Sequence, residues 1–225
     1  MDDPIPAGED VLDAFEVRVL AVLAEKEVLT PDNYPLSLNT LVAGCNQLSS
    51  RDPVMALSEQ TVQDVLDRLA QKKFVTEVRQ AGARVPKYEH RMRVKWALEQ
   101  DKLAILTLLM LRGVQTAGEI RTRSGRMQEF SSVADLEAGL QFLIDKYPPL
   151  VARLERAPGT KEARYAHLLS GAEILERQEV AASFSGRPEV SRADRLERLE
   201  EEVAHLRAEV GRLSEQFAAF KKQFD

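Results

Sequence analysis

The sequence predicts a mainly α protein with small β-hairpins (α+β): tandem winged helix-turn-helix domains followed by a C-terminal coiled-coil helix. Three observations support this class. Segments with helical apolar spacing precede a pair of short strand-like segments, this order repeats once, and the C-terminal residues follow an apolar heptad. The predicted boundaries are 8–95 and 96–171 for the two domains, 172–191 for a linker and 192–225 for the coiled coil.

The first domain is predicted to begin with a helix from about Asp10, its N-cap, to Glu27. Ser37 caps a second, shorter helix, whose spacing turns Cys45 inward, and Ser58 opens the third helix. The apolar positions of the three helices are Leu12, Phe15, Val19, Val22, Leu23, Leu38, Leu41, Val42, Val62, Val65, Leu66 and Leu69.

The second domain repeats this order after Trp96. A capping box formed by Thr116 and Glu119 opens its second helix, and Ser132 with Asp135 opens the third. The apolar positions are Leu103, Leu106, Met110, Val133, Leu136, Leu140 and Leu143.

Each domain is predicted to end in a two-stranded hairpin. The strand pairs are 74–78 with 85–90 and 150–154 with 164–169, each joined by a turn that contains glycine. Both return strands carry the pattern Tyr-x-His, and the shared positions are Tyr88, His90, Tyr165 and His167. This equivalence predicts that the two histidines shape the fold rather than bind a ligand.

The C-terminal segment has apolar residues that alternate by three and four. These are Leu196, Leu199, Val203, Leu206, Val210, Leu213, Phe217, Phe220 and Phe224. Such a seam is typical of a coiled coil, and valine at a positions with leucine at d positions favours a parallel homodimer. The alternative is a helix that folds back on its own domains.

Composition argues against an exported or membrane protein. The chain has 225 residues, 44% of them apolar, and its acidic start lacks the basic n-region of a signal peptide. No apolar stretch is long enough to span a bilayer. One cysteine and three scattered histidines form neither a disulfide nor a zinc-binding pattern. We therefore expect a cytoplasmic protein without metal or cofactor.

The net charge of −5 conceals an uneven distribution. Residues 1–78 carry 6 Lys/Arg against 14 Asp/Glu, residues 79–126 carry 11 against 4, and the remainder carries 14 against 18. The candidate DNA-binding residues of the basic segment are Arg79, Arg84, Lys87, Arg91, Arg93, Lys95, Arg121, Arg123 and Arg126. Such a stripe fits a phosphate backbone. The alternative is a solvated face, or charge complementary to the acidic first domain or to a partner.

The third helix of a winged helix usually enters the major groove of DNA. Here, however, the predicted exposed positions of both third helices are largely acidic, and phosphate repels carboxylates. These positions are Glu59, Gln63, Asp64, Asp67 and Arg68 in the first domain, and Asp135, Glu137, Gln141 and Asp145 in the second. The basic stripe is therefore the better candidate for a DNA contact.

Several motifs closely resemble the YceH-like family of uncharacterised bacterial proteins. They are Tyr34-Pro35-Leu36-Ser37, Cys45-Asn46-Gln47, Arg51-Asp52-Pro53-Val54-Met55, Leu57-Ser58, Leu111-Arg112-Gly113 with Gln115-Thr116, Arg126-Met127-Gln128-Glu129-Phe130-Ser131, and Arg164-Tyr165 with His167. The resemblance extends from about Phe15 to Leu169, with a similar heptad tail. It implies a tandem winged-helix fold and assigns no biochemical activity.

Some of these family-like residues form a polar loop between the second and third helices: Asn46, Gln47, Arg51 and Asp52. They are candidates for a binding surface. The alternative is that they satisfy backbone groups and fix the turn, since Asn and Asp readily bond to nearby backbone.

No phosphate loop, metal-ligand spacing or nucleophile motif is present, so we expect no enzymatic activity. The leading hypothesis is a dimeric, DNA-associated or regulatory protein whose basic stripe contacts phosphate. The alternative is a protein-interaction adaptor, because fold alone does not fix function.

Overall fold

The computed structural model describes residues 11–79, 85–154 and 162–171. Within them the helices are α1 (Ala14–Leu29), α2 (Leu38–Cys45), α3 (Glu59–Gln71), α4 (Met92–Trp96), α5 (Gln100–Arg112), α6 (Ala117–Ser124) and α7 (Val133–Ile144). The strands are β1 (Leu36–Ser37), β2 (Val75–Val78), β3 (Lys87–His90), β4 (Gln115–Thr116), β5 (Val151–Leu154) and β6 (Arg164–His167). These elements confirm a mainly helical fold with small antiparallel sheets.

The predicted hairpins are present, but each belongs to a three-stranded sheet. The sheet orders are β1-β3-β2 and β4-β6-β5, and every pairing is antiparallel. The third strand of each sheet was not predicted, because β1 and β4 have only two residues each. Such short strands show no alternating pattern, and Ser37 and Thr116 serve both as strand residues and as helix N-caps.

Capping residues fix most of the helix starts that the sequence predicts. Ser37, Ser58 and Ser132 each accept a hydrogen bond from the backbone N–H three residues ahead, and Thr116 forms the predicted capping box with Glu119. The start of α1 was predicted too early. Its cap is Asp13, which forms a capping box with Glu16.

Two predicted core positions lie at the surface. Phe15 is 42% exposed and Val133 is 40% exposed, and both occur in the first turn of their helices. The remaining apolar positions of α7, Leu136, Leu140 and Leu143, are fully buried. Helical spacing of apolar residues thus predicted the buried face correctly, except in the first turns of α1 and α7.

The buried residues of the two halves of the fold form one hydrophobic core. Helices α1 and α5 pack against each other at its centre, and both are buried around most of their circumference. Two backbone hydrogen bonds also join the halves, from Leu12 N to Leu169 O and from Asp52 N to Leu111 O, each 2.8 Å long. Among the described helices, none has the length and apolarity needed to cross a membrane.

Several sequence predictions lie outside the described residues. They are Arg84 at the first hairpin, the linker at 172–191, and the coiled coil at 192–225 with all nine seam positions from Leu196 to Phe224. They remain predictions.

Candidate nucleic-acid interface

Four cationic side chains lie on or beside the β2–β3 hairpin. Lys73 precedes β2, Arg79 follows it, Lys87 begins β3, and Arg91 follows β3. We call these four residues the basic hairpin surface. Lys73 and Arg91 line an open groove of about 640 Å³, which also includes Val75, Thr76 and Val94.

Carboxylates on this surface are fewer than cations. Glu77 lines the groove and is bound by Arg79, while Glu89 lies on the neighbouring strand. Arg91 donates a hydrogen bond of 3.3 Å to Thr76 Oγ1 and remains exposed. The basic hairpin surface therefore has more cationic than acidic side chains, and Lys73, Arg79 and Arg91 are exposed to solvent.

Two further residues of the predicted stripe have structural contacts. Arg93 donates to Glu27 at 2.9 Å and also bonds to Gln100. Lys95 donates to the backbone carbonyl of Lys72 at 3.3 Å, and its amine lies 4.1 Å from the centre of the Phe74 ring. Both side chains thereby join α4 to neighbouring elements of the core.

The ion pair between Glu27 and Arg93 affects the pKa of the Glu27 carboxyl group. Burial alone would raise the pKa of this carboxyl group, but the neighbouring His90 and Arg93 outweigh burial and hold the pKa below its ordinary value. Glu27 is thus charged at neutral pH. It neutralises Arg93 and removes it from the set of cations that could contact phosphate.

The three arginines of α6 and the loop after it lie on a different surface from the hairpin. Arg121 donates to the carbonyls of Phe130 and Ser131, both at 3.3 Å, and therefore holds the loop before α7. Arg123 and Arg126 line a second cleft, which shares no lining residue with the groove at the hairpin. The predicted stripe is divided between two surfaces.

The third helix of each half presents carboxylates to solvent, as the sequence predicts. In α3 the side chains of Asp64 and Asp67 are exposed and accept hydrogen bonds from Gln60 and Gln63. In α7 the exposed acidic residues are Asp135 and Glu137, and Asp145 is exposed at its C-cap. These exposed carboxylates repel a phosphate backbone.

The polar loop between α2 and α3 is held by its own side chains. Asn46 accepts from Leu57 N at 2.7 Å and donates to Leu57 O at 2.8 Å, which closes the loop. Arg51 is buried and forms a two-fold contact with Glu25, at 3.1 and 2.6 Å. It also donates to Gln47 Oε1 at 2.8 Å. Asn46 and Arg51 therefore stabilise the turn, while Asp52 is exposed and Gln47 lines the second cleft.

One member of this network, Arg18 of α1, was not predicted from the sequence. Its side chain is buried and donates to Cys45 O at 3.1 Å and to Pro53 O at 2.6 Å. Burial, followed by the charge of Arg51, lowers the pKa of its guanidinium. Position 18 lies on no polar face, because α1 is buried all round from Val17 to Ala24. The apolar residues on both sides of position 18 were the sequence feature from which a buried Arg18 could have been predicted.

Cys45 is buried, as predicted. Burial raises the pKa of its thiol to about 12, so the reactive thiolate form is not populated at neutral pH. In the part of the chain that the structure describes, no group of three or more His, Cys, Asp or Glu side chains is placed to hold a metal ion. No chemistry is assigned to these residues.

Comparison with known proteins identifies relatives across nearly the whole chain. The family "Protein of unknown function, DUF480" matches residues 12–160. A UPF0502 protein of Janthinobacterium sp. (strain Marseille) is 66% identical over 219 residues, which cover 97% of this chain and 93% of the relative. A UPF0502 protein of Azoarcus sp. (strain BH72) is 52% identical over 231 residues, covering 99% and 100%. The family resemblance that the sequence motifs indicate is thus confirmed.

Proposed function

Because the chain belongs to the DUF480 family, whose description gives no activity, we propose a function from the fold and surface chemistry: a non-catalytic, DNA-associated regulatory protein. The basic hairpin surface contacts the phosphate backbone, and the C-terminal segment pairs two chains.

The order of elements supports a tandem winged helix-turn-helix. Each half has a helix, a short strand, two helices and two further strands, with the return strand in the middle of the sheet. In this fold the last two strands form the wing, which commonly touches phosphates beside the groove that a helix enters. The basic hairpin surface occupies the wing position of the first half.

The charge on this hairpin is the observation that carries the proposal. The hairpin and the residues beside it carry four cations, Lys73, Arg79, Lys87 and Arg91, and two carboxylates, Glu77 and Glu89, of which Glu77 is bound to Arg79. Phosphate contacts of this kind supply affinity without reading sequence. Because α3 and α7 are acidic, the wing rather than the third helix is the contact that phosphate favours.

A titration of purified protein with two duplexes of unrelated sequence tests this function. At about 50 mM salt we expect saturable binding with similar affinity for both duplexes, and a steep loss of affinity at about 200 mM salt. Absence of binding at about 50 mM salt, where phosphate contacts are strongest, would exclude the function.

The acidic faces of α3 and α7 support a second candidate function, a protein-interaction adaptor. Both faces are exposed and present several carboxylates each, a surface suited to a basic partner. The double variant Asp64→Lys, Asp67→Lys separates the candidates. If α3 lies near the duplex, this charge reversal tightens non-specific DNA binding; if α3 faces a protein partner, DNA affinity hardly changes.

A further inference from the structure

A second cleft lies where the two halves of the fold meet. It has a volume of about 500 Å³ and is bounded by the end of α1, the loop between α2 and α3, helix α5, and α6 with the loop that follows it. This size is within the range of small-molecule sites in proteins. We call it the junction cleft.

Four cationic side chains line the junction cleft: Lys26, Arg112, Arg123 and Arg126. They come from both halves of the fold, which brings together residues that are far apart in the sequence. Of the described residues that line the cleft, one is a carboxylate, Glu25.

Glu25 does not neutralise these four cations. Its two oxygens bind the buried Arg51 at 3.1 and 2.6 Å, so most of its charge is offset there. Lys26 approaches one of the same oxygens at 3.2 Å. When Arg51 is counted with Glu25, the cleft retains an excess of positive charge.

The arginines of the junction cleft differ in how many of their N–H groups already form hydrogen bonds within the protein. Arg123 donates to Gln115 Oε1 at 2.7 Å and to Glu119 at 3.4 Å, and Arg112 bonds to Ser50. Arg126 is exposed and makes no hydrogen bond with another described residue. No described residue therefore competes with a ligand for its guanidinium.

Like charges crowd the inner part of the cleft. Burial, together with the nearby charges of Arg123 and Arg51, lowers the pKa of Arg112. Holding cations together in this way costs free energy, which an anion bound between them recovers. A multiply charged anion recovers more than a single carboxylate does.

Polar and apolar groups complete the lining. Gln47, Ser49 and Ser50 offer hydrogen bonds, and Leu108 and Met127 form an apolar wall. A bare inorganic ion would leave most of the cleft empty, whereas a phosphorylated small molecule places its phosphate among the cations and its remaining part against this wall.

We propose that the junction cleft binds a phosphorylated small molecule, with Arg112, Arg123, Arg126 and Lys26 as the phosphate-binding residues. This site is separate from the basic hairpin surface, and the proposal does not depend on DNA binding.

Isothermal titration of the full chain with pyrophosphate, at about 50 mM salt, tests the proposal. We expect saturable binding with a Kd below about 1 mM. Arg126→Gln should weaken it at least about tenfold, because a hydrogen bond between charged groups is lost. Arg123→Gln should act in the same direction.

Two controls make the result specific. Lys146→Gln removes one positive charge from a residue that lines neither the junction cleft nor the hairpin groove, and it should leave pyrophosphate binding unchanged. Acetate, which carries a single carboxylate, should bind at least about tenfold more weakly than pyrophosphate, because a multiply charged anion offsets more of the repulsion between the clustered cations.

Four results would overturn the proposal: no saturation at millimolar pyrophosphate, equal affinity for acetate, an equal loss in Lys146→Gln, or unchanged binding in Arg126→Gln. Circular dichroism of each variant separates loss of binding from loss of fold. Variants at Arg123 and Arg126 that lose pyrophosphate but keep DNA would show that this site and the proposed DNA surface are independent.

Discussion

At the scale of single residues, the buried pair of Arg51 and Glu25 is the best example of a polar group that serves structure. Burial raises the pKa of Glu25, but the hydrogen bonds and charge of Arg51 outweigh burial and lower it. Removing one partner of a buried ion pair leaves an uncompensated charge. Arg51→Met should therefore lower the free energy of unfolding by about 3–5 kcal/mol in urea titrations.

The double variant Glu25→Leu, Arg51→Met is the matched control for this prediction. It removes the buried carboxylate together with its guanidinium partner and leaves only the partly exposed Lys26 without its ion pair, so it should recover part of the loss. A cost below about 1 kcal/mol for Arg51→Met alone, as for an exposed pair, would contradict the structural role assigned to Arg51.

His167 gives a prediction about pH. Burial lowers the pKa of its imidazole from 6.5 to about 4, and its Nδ1 has no hydrogen-bond partner among the described residues. The folded state thus favours the neutral ring. The stability it contributes is complete above pH 6.5 and is lost as the pH falls towards 4.

Between about pH 8 and pH 5 this single group should lower the free energy of unfolding by about 2 kcal/mol. His167→Leu removes the titrating ring, so its stability should fall less over the same pH range. Chemical denaturation of both proteins at several pH values measures the difference. Parallel pH profiles would show that His167 does not titrate in this way.

At the scale of elements, two glycines show how closely the helices pack. A Cβ atom at Gly44 of α2 would lie 2.6 Å from Val22 Cγ1 in α1, and one at Gly139 of α7 would lie 2.6 Å from Ile105 Cδ1 in α5. Both neighbours are buried and β-branched, but the clashing atom of Val22 moves only with the stiff χ1 torsion, whereas the Cδ1 of Ile105 lies beyond a second torsion, χ2.

Because these neighbours differ, we expect alanine at the two glycine positions to have different effects on stability. Gly44→Ala should destabilise the fold by about 1–2 kcal/mol, because overpacking exceeds the gain in helix propensity. Gly139→Ala should change stability by less than about 1 kcal/mol, since Ile105 can move while α7 gains propensity. Thermal and urea unfolding of both variants test this, and equal effects would contradict the packing difference.

The sequence predicts where helices and strands lie better than it predicts which of them pair with each other. The polar caps at Ser37, Ser58 and Ser132 could be recognised because a capping residue acts locally, through the backbone N–H three residues ahead. The strands β1 and β4 could not, because two residues carry no period and their pairing is set by distant return strands.

At the scale of the whole molecule, the shared core and the junction cleft were beyond sequence analysis. Helical spacing shows which face of α1 or α5 is apolar, but it does not show that the two helices pack against each other. Arg123 and Arg126 were recognised as basic, yet their position opposite Lys26 follows only from that packing. The same packing divides the predicted basic stripe between two surfaces, and the sequence does not show this.

Assembly gives a prediction at this scale. Nine apolar a and d positions between Leu196 and Phe224 would leave a long apolar seam exposed on a single chain. The full chain should therefore be a dimer in light scattering, and a chain ending near Gly186 should be a monomer. Monomers in both cases would favour the alternative, a helix folded back on its own domains.

The salt dependence of DNA binding tests the central claim, that the basic hairpin surface contacts phosphate. The measurement compares the wild-type protein with the triple variant Arg79→Gln, Lys87→Gln, Arg91→Gln on one duplex over a range of salt concentrations. Each lost phosphate contact flattens the plot of log affinity against log salt by about 0.9. We predict that the slope falls by up to about 2.7 and that affinity falls equally on unrelated sequences. A slope that is the same in both proteins would contradict the claim.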